Sequence, residues 1–166
     1  MDDGMSPNVA KNLWSTAWLS TEVNPHRVES RLGAPGADSE ARNDEDGPTD
    51  GWQYFMRGVF HSDQGDPGTA ATSFRRAVQL GRQEASDDSN DPRHRLDLVV
   101  YLTAAGEWDA ARDETDRAIR SGAEPWHIGD ALEDLQDHLV DLPGVAQDRL
   151  AALMLLLEDH RQSLEC

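Results

Sequence analysis

Residues 51–84 have the sequence GWQYFMRGVFHSDQGDPGTAATSFRRAVQLGRQE, and this stretch decides the fold of the chain. Its apolar residues recur every three or four positions, which is typical of amphipathic helices. The Gly-Asp pair at 65–66 interrupts the pattern, and Pro67 suits the first turn of a second helix. The stretch therefore predicts a helical hairpin, with helices over residues 51–64 and 67–80.

The chain continues toward its C-terminus as helix-forming segments separated by glycine, proline or polar breaks. The polar stretch EASDDSND at 84–91 predicts a loop, and the run LAALMLLL at 150–157 predicts a helix buried on more than one side. No useful length of chain alternates with a period of two, so strands are not expected. We expect an all-α fold of antiparallel helix hairpins. The four further helices are predicted at 92–105, 108–121, 125–141 and 145–161.

Two segments of different character precede the hairpins. Residues 7–20, PNVAKNLWSTAWLS, carry an apolar stripe with Trp14 and Trp18 and predict an amphipathic helix. Residues 24–50 are rich in proline, glycine and charge, and cannot bury enough apolar surface to offset their ordering entropy. The predicted organisation is an N-terminal amphipathic helix in 1–23, a disordered acidic linker in 24–50 and a helical domain in 51–166.

Composition excludes several classes of protein. The chain holds 32 acidic and 15 basic residues, for a formal charge of −17, and it lacks the run of about 18 apolar residues that a membrane span needs. An acidic start without an apolar core predicts no signal peptide. Cys166 is the only cysteine, so we expect neither an internal disulfide nor a thiolate metal site. Because this charge repels phosphate, we expect no direct binding of nucleic acid. Together these points predict a cytoplasmic protein that does not bind membranes.

The acidity itself has two interpretations. One is a well-hydrated, self-repelling surface from a salt-adapted or high-GC source. The other is a functional acidic face that binds a basic partner or mimics DNA. The acids are spread along the chain, which favours the first interpretation. The carboxylates that would imitate a row of phosphates are those of Asp130, Asp134, Asp137 and Asp141, on the predicted fifth helix.

The first two hairpins align with each other at an offset of 41 residues. The matched positions are Gly65 with Gly106, Ala70 with Ala111, and Ala77 with Ala118. Small residues at these positions let two helices approach within about 8–10 Å between axes. The alignment predicts a helical repeat, and a generic helical bundle with Gly-Asp turns is the alternative.

This pattern resembles the tetratricopeptide repeat, a family of helix-turn-helix units of about 34 residues. The positions that match in the first unit are Tyr54, Gly58, Gly65, Ala70, Phe74 and Ala77. The second unit keeps the small residues but has Arg95, Val99 and Thr115 at the other places. The third hairpin, over residues 125–161, lacks the small residues. The resemblance implies a short α-solenoid of stacked hairpins.

The resemblance also implies that the first helix of each unit lines a concave groove, which binds a peptide or helix of another protein. The implied lining is Trp52, Phe55, Met56, Val59, Asp63, Arg93, Leu96, Asp97, Val100 and Thr103. Family members that grip a carboxylate use Lys and Asn where this chain has Phe55 and Val59, so that clamp is absent. The groove is apolar with an acidic rim, which favours an amphipathic helix with basic flanks. The expected role is an adaptor, a scaffold or a regulatory subunit.

Catalytic and metal chemistry find little support in the sequence. His127, Asp130, Asp134 and His138 could share one face of the fifth helix and ligate a metal in principle. However, the aspartates lie opposite the leucine stripe, where a solvated face is expected. No HExxH motif, nucleophile motif or phosphate-binding loop is present. We expect no enzyme activity, no metal site and no cofactor.

Two apolar features have no assigned partner. Leu155 and Leu156 lie off the main stripe of the last helix, and a homodimer through them is one expectation. Trp14 and Trp18 give the N-terminal helix a large apolar face. This helix would dock on the helical domain, serve as an extra packing helix, or form a short motif for another protein.

Overall fold

The computed structural model describes residues 49–88 and 90–165. The predicted N-terminal helix with Trp14 and Trp18, almost all of the predicted linker, and Cys166 lie outside the described residues. The described part forms six helices and contains no strand, which confirms the all-α prediction. The helices are α1 Gly51–Asp63, α2 Pro67–Asp87, α3 Pro92–Ala104, α4 Trp108–Arg120, α5 Pro125–Leu139 and α6 Gln147–Glu165.

Aspartate caps and glycine turns set the helix boundaries. The side chains of Asp50, Asp66 and Asp91 accept backbone hydrogen bonds at the starts of α1, α2 and α3, at 2.8, 3.0 and 2.9 Å. Such caps satisfy amide groups that the first helical turn leaves without partners. Gly65 and Gly106 end the α1–α2 and α3–α4 turns with φ of 74° and 76°, a conformation that glycine adopts without strain.

The predicted boundary of the second helix was wrong. Helix α2 continues to Asp87, so the first half of the loop predicted at 84–91 is helical. Gly81 does not stop the helix, because it lies where a side chain would collide with Tyr101: a Cβ there would be 2.9 Å from Tyr101 Cδ2. Ala85, one turn further, is buried. The extra turns of α2 thus gain packing against α3.

Small residues bring the helices of each hairpin together. α1 packs on α2, α3 on α4 and α5 on α6, and α2 also packs on α3. The predicted contact alanines are all buried: Ala70, Ala77, Ala111 and Ala118. At Gly58 a Cβ would lie 2.4 Å from Phe74 Cε1, so the absence of a side chain there makes room for the Phe74 ring.

The second hairpin has a partly buried ion pair where the first has aromatic packing. Arg95 on α3 contacts Glu114 on α4 at 3.1 Å, and Arg117 holds the other oxygen of the same carboxylate at 2.6 Å. Thr115 directs its hydroxyl to the carbonyl of Ala111. These contacts explain why the second unit departs from the pattern of the first and still forms a hairpin.

The third hairpin packs differently from the second. Helix α5 lies mainly against α3 and α6 rather than against α4, while α6 also touches α4. Helix α3 is therefore enclosed, and its residues from Leu98 to Thr103 are all buried. The C-terminal end of α5 reaches α1, where the His138 ring lies 5.8 Å from that of Phe55. The third hairpin therefore packs over α3 and over the part of α1 that contains Phe55.

Candidate protein-interaction surface

The structure divides the residues predicted to line a groove into two sets. Four of them are core residues with at most 2% of their surface exposed, and these are Phe55, Leu96, Val100 and Thr103. Their prediction as ligand-binding residues was wrong, because α5 packs along α3 and places His138 over Phe55. A partner could reach them only if the third hairpin moved away.

The two remaining residues on α3 belong to the start of that helix. Arg93 is exposed, and its guanidinium lies 2.6 Å from the carboxylate of Asp91, the cap of α3. This hydrogen bond lowers the pKa of Asp91 and raises the pKa of Arg93. Asp97 is half-buried. Arg93 therefore serves first to anchor the α3 cap.

The other residues of the predicted lining remain accessible on α1. Trp52, Met56 and Val59 are half-buried, and Asp63 is exposed. At 100° per residue these four fall on one side of α1, and Phe60 borders them toward solvent. We call Trp52, Met56, Val59 and Phe60 the α1 flank.

Phe60 is the residue that the sequence analysis missed. Its exposed fraction is 60%, the highest among the large hydrophobic residues that the structure describes as exposed. The spacing of Trp52, Met56 and Phe60, each four residues apart, was a signal available in the sequence. The resemblance to tetratricopeptide repeats implied Val59 and Asp63, and not Phe60, as contact residues at this end of α1. A large exposed aromatic residue beside half-buried apolar ones is typical of contact surfaces.

The end of α5 and the turn between α5 and α6 lie along one edge of the α1 flank and hold it in place. Near the start of α1, the Trp52 ring meets the His138 ring edge-on, with centroids 5.5 Å apart. Near its end, the buried Ser62 hydroxyl donates a hydrogen bond of 2.9 Å to the carbonyl of Pro143. Residues 138–143 therefore run beside α1 and form a fixed border of the flank.

Acidic residues lie at both ends of α1 and next to the 138–143 border of the α1 flank. Asp50 and Asp63 lie at the two ends of α1, and Asp66 caps the next helix. Hydrogen bonds from Thr69 lower the pKa of Asp66, so this carboxylate stays ionised at neutral pH. Asp137 and Asp141 are exposed at and beyond the C-terminal end of α5. The carbonyl groups of a helix C-terminus add negative potential there.

The α5 residues that could in principle ligate a metal do not form a cluster of ligand atoms in the described part of the chain. Asp134 is 1% exposed, so the expectation of a solvated aspartate there was wrong. His127 uses Nδ1 to accept a 2.9 Å hydrogen bond from the Glu124 amide, and burial lowers the pKa of His127. His138 packs against Trp52. Each histidine thus has a structural role in the helix.

A different trio in the described ranges has spacing that could hold a cation. One potential ligand atom from each of Asp88, Asp91 and His94 lies within 4.8 Å of the others. Asp91, however, already accepts hydrogen bonds from the Arg93 guanidinium with both carboxylate oxygens. A cation here would compete with that positive charge.

The apolar last helix is mostly occupied by its own core. Leu150, Leu153 and Leu157 are buried, and Leu156 packs partly against the same core. Leu155 is 50% exposed. The two leucines predicted as an interface therefore differ in accessibility, and Leu155 is the one that a second copy could touch.

Comparisons with protein-family models, with curated proteins and with solved structures found no match to this chain. The resemblance to tetratricopeptide repeats therefore stays a prediction from the residues. Within the described ranges, no helix is both long enough and apolar enough to cross a membrane.

Proposed function

We propose that the chain is a protein–protein interaction module that binds a peptide or helix of another protein and performs no chemistry of its own. The observation that supports this most is the α1 flank, an apolar surface with a 60% exposed phenylalanine beside three half-buried apolar residues. Leaving such side chains in water costs free energy that a partner would recover. A role as adaptor or regulatory subunit in the cytoplasm fits the acidic composition.

The alternative of a DNA mimic receives less support. It requires a row of solvent-facing carboxylates on α5, spaced like phosphates. Asp134, the second member of the predicted row, is buried. The exposed members that remain are Asp137 and Asp141, near the end of the helix. Two neighbouring carboxylates are a poor imitation of a phosphate backbone.

A peptide-display selection on the full chain tests the proposed function. We expect enrichment of one sequence family with helical apolar spacing, and saturable micromolar binding of a synthetic member by calorimetry, as for short helix-in-groove ligands. A random-order peptide of the same composition is the control. Failure to enrich any sequence family would contradict the proposal. Enrichment of basic proteins that duplex DNA displaces would favour the mimic instead.

A further inference from the structure

We propose that the α1 flank is a docking surface for an amphipathic helix that carries lysine or arginine beside its apolar stripe. This inference rests on the proposed function and deepens it, because it assigns the site and the chemistry of the partner. The residues that would make contact are Trp52, Met56, Val59 and Phe60, with Asp63 at the end of the same side.

The dimensions of the flank fit a helix. Trp52 and Phe60 are separated by eight residues, which corresponds to about 12 Å along the helix axis. That length matches about two turns of a partner helix, whose apolar residues at positions i, i+3, i+4 and i+7 would pack between those of α1. The described residues contain no strand and so offer no sheet edge to an extended peptide. Packing helix against helix is therefore the mode that this surface supports.

The border of the flank supports one fixed register of docking. Trp52 packs on His138, and Ser62 binds the carbonyl of Pro143. Residues 138–143 thus close one side of α1, while the side with Phe60 is open to solvent. A partner helix would lie along the open side and cover Met56 and Phe60. Because the border is already formed, little of the binding free energy would be used to order it.

The charges near the flank favour a partner that carries positive charge. The nearby carboxylates are those of Asp50, Asp63, Asp66, Asp137 and Asp141, and each of these residues is exposed. The basic residue on the solvent side of α1 is Arg57. The excess of negative charge attracts lysine and arginine and speeds association at low salt. A second copy of this chain also carries a charge of −17 and is repelled, which makes it the less favourable occupant.

A pair of synthetic peptides tests the sign of the charge. The first peptide has leucines at helical spacing with lysines on both sides of the stripe, and the second has glutamate at every lysine position. Fluorescence anisotropy with the full chain should show saturable binding of the lysine peptide. The glutamate peptide should bind at least about tenfold more weakly, because only the electrostatic contribution differs. Equal binding of both peptides, or failure of the lysine peptide to bind, would overturn the inference.

A matched pair of variants tests the location. Phe60→Ser removes a 60% exposed side chain from the flank, and Leu155→Ser removes a 50% exposed side chain from α6. Neither residue belongs to the core, so both variants should fold, as circular dichroism would verify. We expect Phe60→Ser to lower the affinity for the lysine peptide about tenfold, as truncation of an aromatic anchor does. Leu155→Ser should change the affinity by less than about twofold. Equal loss in both variants, or no loss in Phe60→Ser, would overturn the assignment of the site.

A second pair of variants separates local from global charge. Asp63→Lys reverses one charge on the flank, and Asp159→Lys makes the same change on the exposed side of α6. Both variants alter the net charge equally. A larger loss of affinity for the lysine peptide in Asp63→Lys would therefore show that residue 63 lies near the bound peptide. Equal losses would indicate general attraction to an acidic protein and would overturn the inference.

The outcomes also distinguish this inference from the proposed function. If selected peptides bind but Phe60→Ser has no effect, the interaction role stands and the assigned surface is wrong. If light scattering shows a dimer that Phe60→Ser dissociates, the occupant is a second copy, and the inference is overturned. If no peptide is selected at all, the proposed function itself fails.

Discussion

At the scale of single residues, the hairpins depend on where a side chain is absent. Gly58 makes room for the Phe74 ring, and Gly51 and Gly81 make room for Tyr101. Glycine inside a helix costs about 1 kcal/mol relative to alanine. The close approach of an aromatic ring to the backbone offsets that cost, because it joins α1, α2 and α3 around Phe55.

Substitutions of two helical glycines by alanine should have opposite effects on stability. Gly58→Ala should lower the free energy of unfolding by about 1–3 kcal/mol, because the new methyl group would lie 2.4 Å from the Phe74 ring. Gly129→Ala, on α5, adds a methyl group with no atom within 4 Å. It should raise the free energy of unfolding by about 0.5–1 kcal/mol through helix propensity. Urea denaturation would measure both, and a stabilised Gly58→Ala protein would contradict the packing.

At the scale of helices, much of the architecture could be predicted from the sequence. Helical spacing and breaks at glycine, proline or polar residues are local signals, and they located every described helix. Helix α2 extends past its predicted end because Gly81 is a site of close contact with α3, and a local pattern does not distinguish that from a stop. The burial of Leu96 and Val100 depends on where α5 packs. That contact joins residues far apart in sequence, so spacing alone could not predict it.

The ion pair at the start of α3 predicts how the free energy of unfolding depends on pH. Arg93 lowers the pKa of Asp91, so the ion pair stabilises the fold above the unfolded pKa of about 3.9 and is lost as the pH falls through the lower folded pKa. Asp91→Asn retains a good helix cap but removes the charge. The variant should be less stable than wild type near pH 6, and the difference should shrink as the pH falls below about 3.9 and through the lower folded pKa of Asp91.

Arg93→Gln provides the control for this prediction, because it removes the other partner of the same pair. Its loss of stability should have the same pH dependence as that of Asp91→Asn. Urea denaturation across the pH range would measure both. A stability difference of the same size at pH 6 and at pH 2 would contradict the prediction, because it would show that the charge of Asp91 contributes nothing.

At the scale of the whole molecule, the third hairpin determines which surface remains available. The regular stacking implied by the repeat resemblance would leave α1 and α3 open to a ligand. Instead, α5 lies along α3 and its end reaches α1, so the described domain offers the flank of one helix. Trp52, Met56, Val59 and Asp63 were predicted as site residues and are accessible, whereas Phe60 was not predicted.

The net charge makes a prediction at this scale. A formal charge of −17 opposes the compact state through self-repulsion. Salt largely screens the repulsion between exposed charges that lie more than a Debye length apart, which is about 10 Å at 0.1 M. The described ion pairs are few and range from exposed to partly buried, and exposed pairs contribute about 0–1 kcal/mol each. The Tm of the full chain should therefore rise as sodium chloride is added, as thermal circular dichroism would show. A falling Tm would mean that the ion pairs outweigh the repulsion.

The most direct test of the α1 flank as the binding surface is an NMR titration of the ¹⁵N-labelled full chain with the lysine peptide. We expect the chemical-shift changes to concentrate in the backbone amides of residues 52–63 and of the adjoining segment 138–143. Amides of the buried part of α3 and of the exposed side of α6 around Leu155 should change little. A set of changes centred on α6 or α4, with α1 unaffected, would contradict the account.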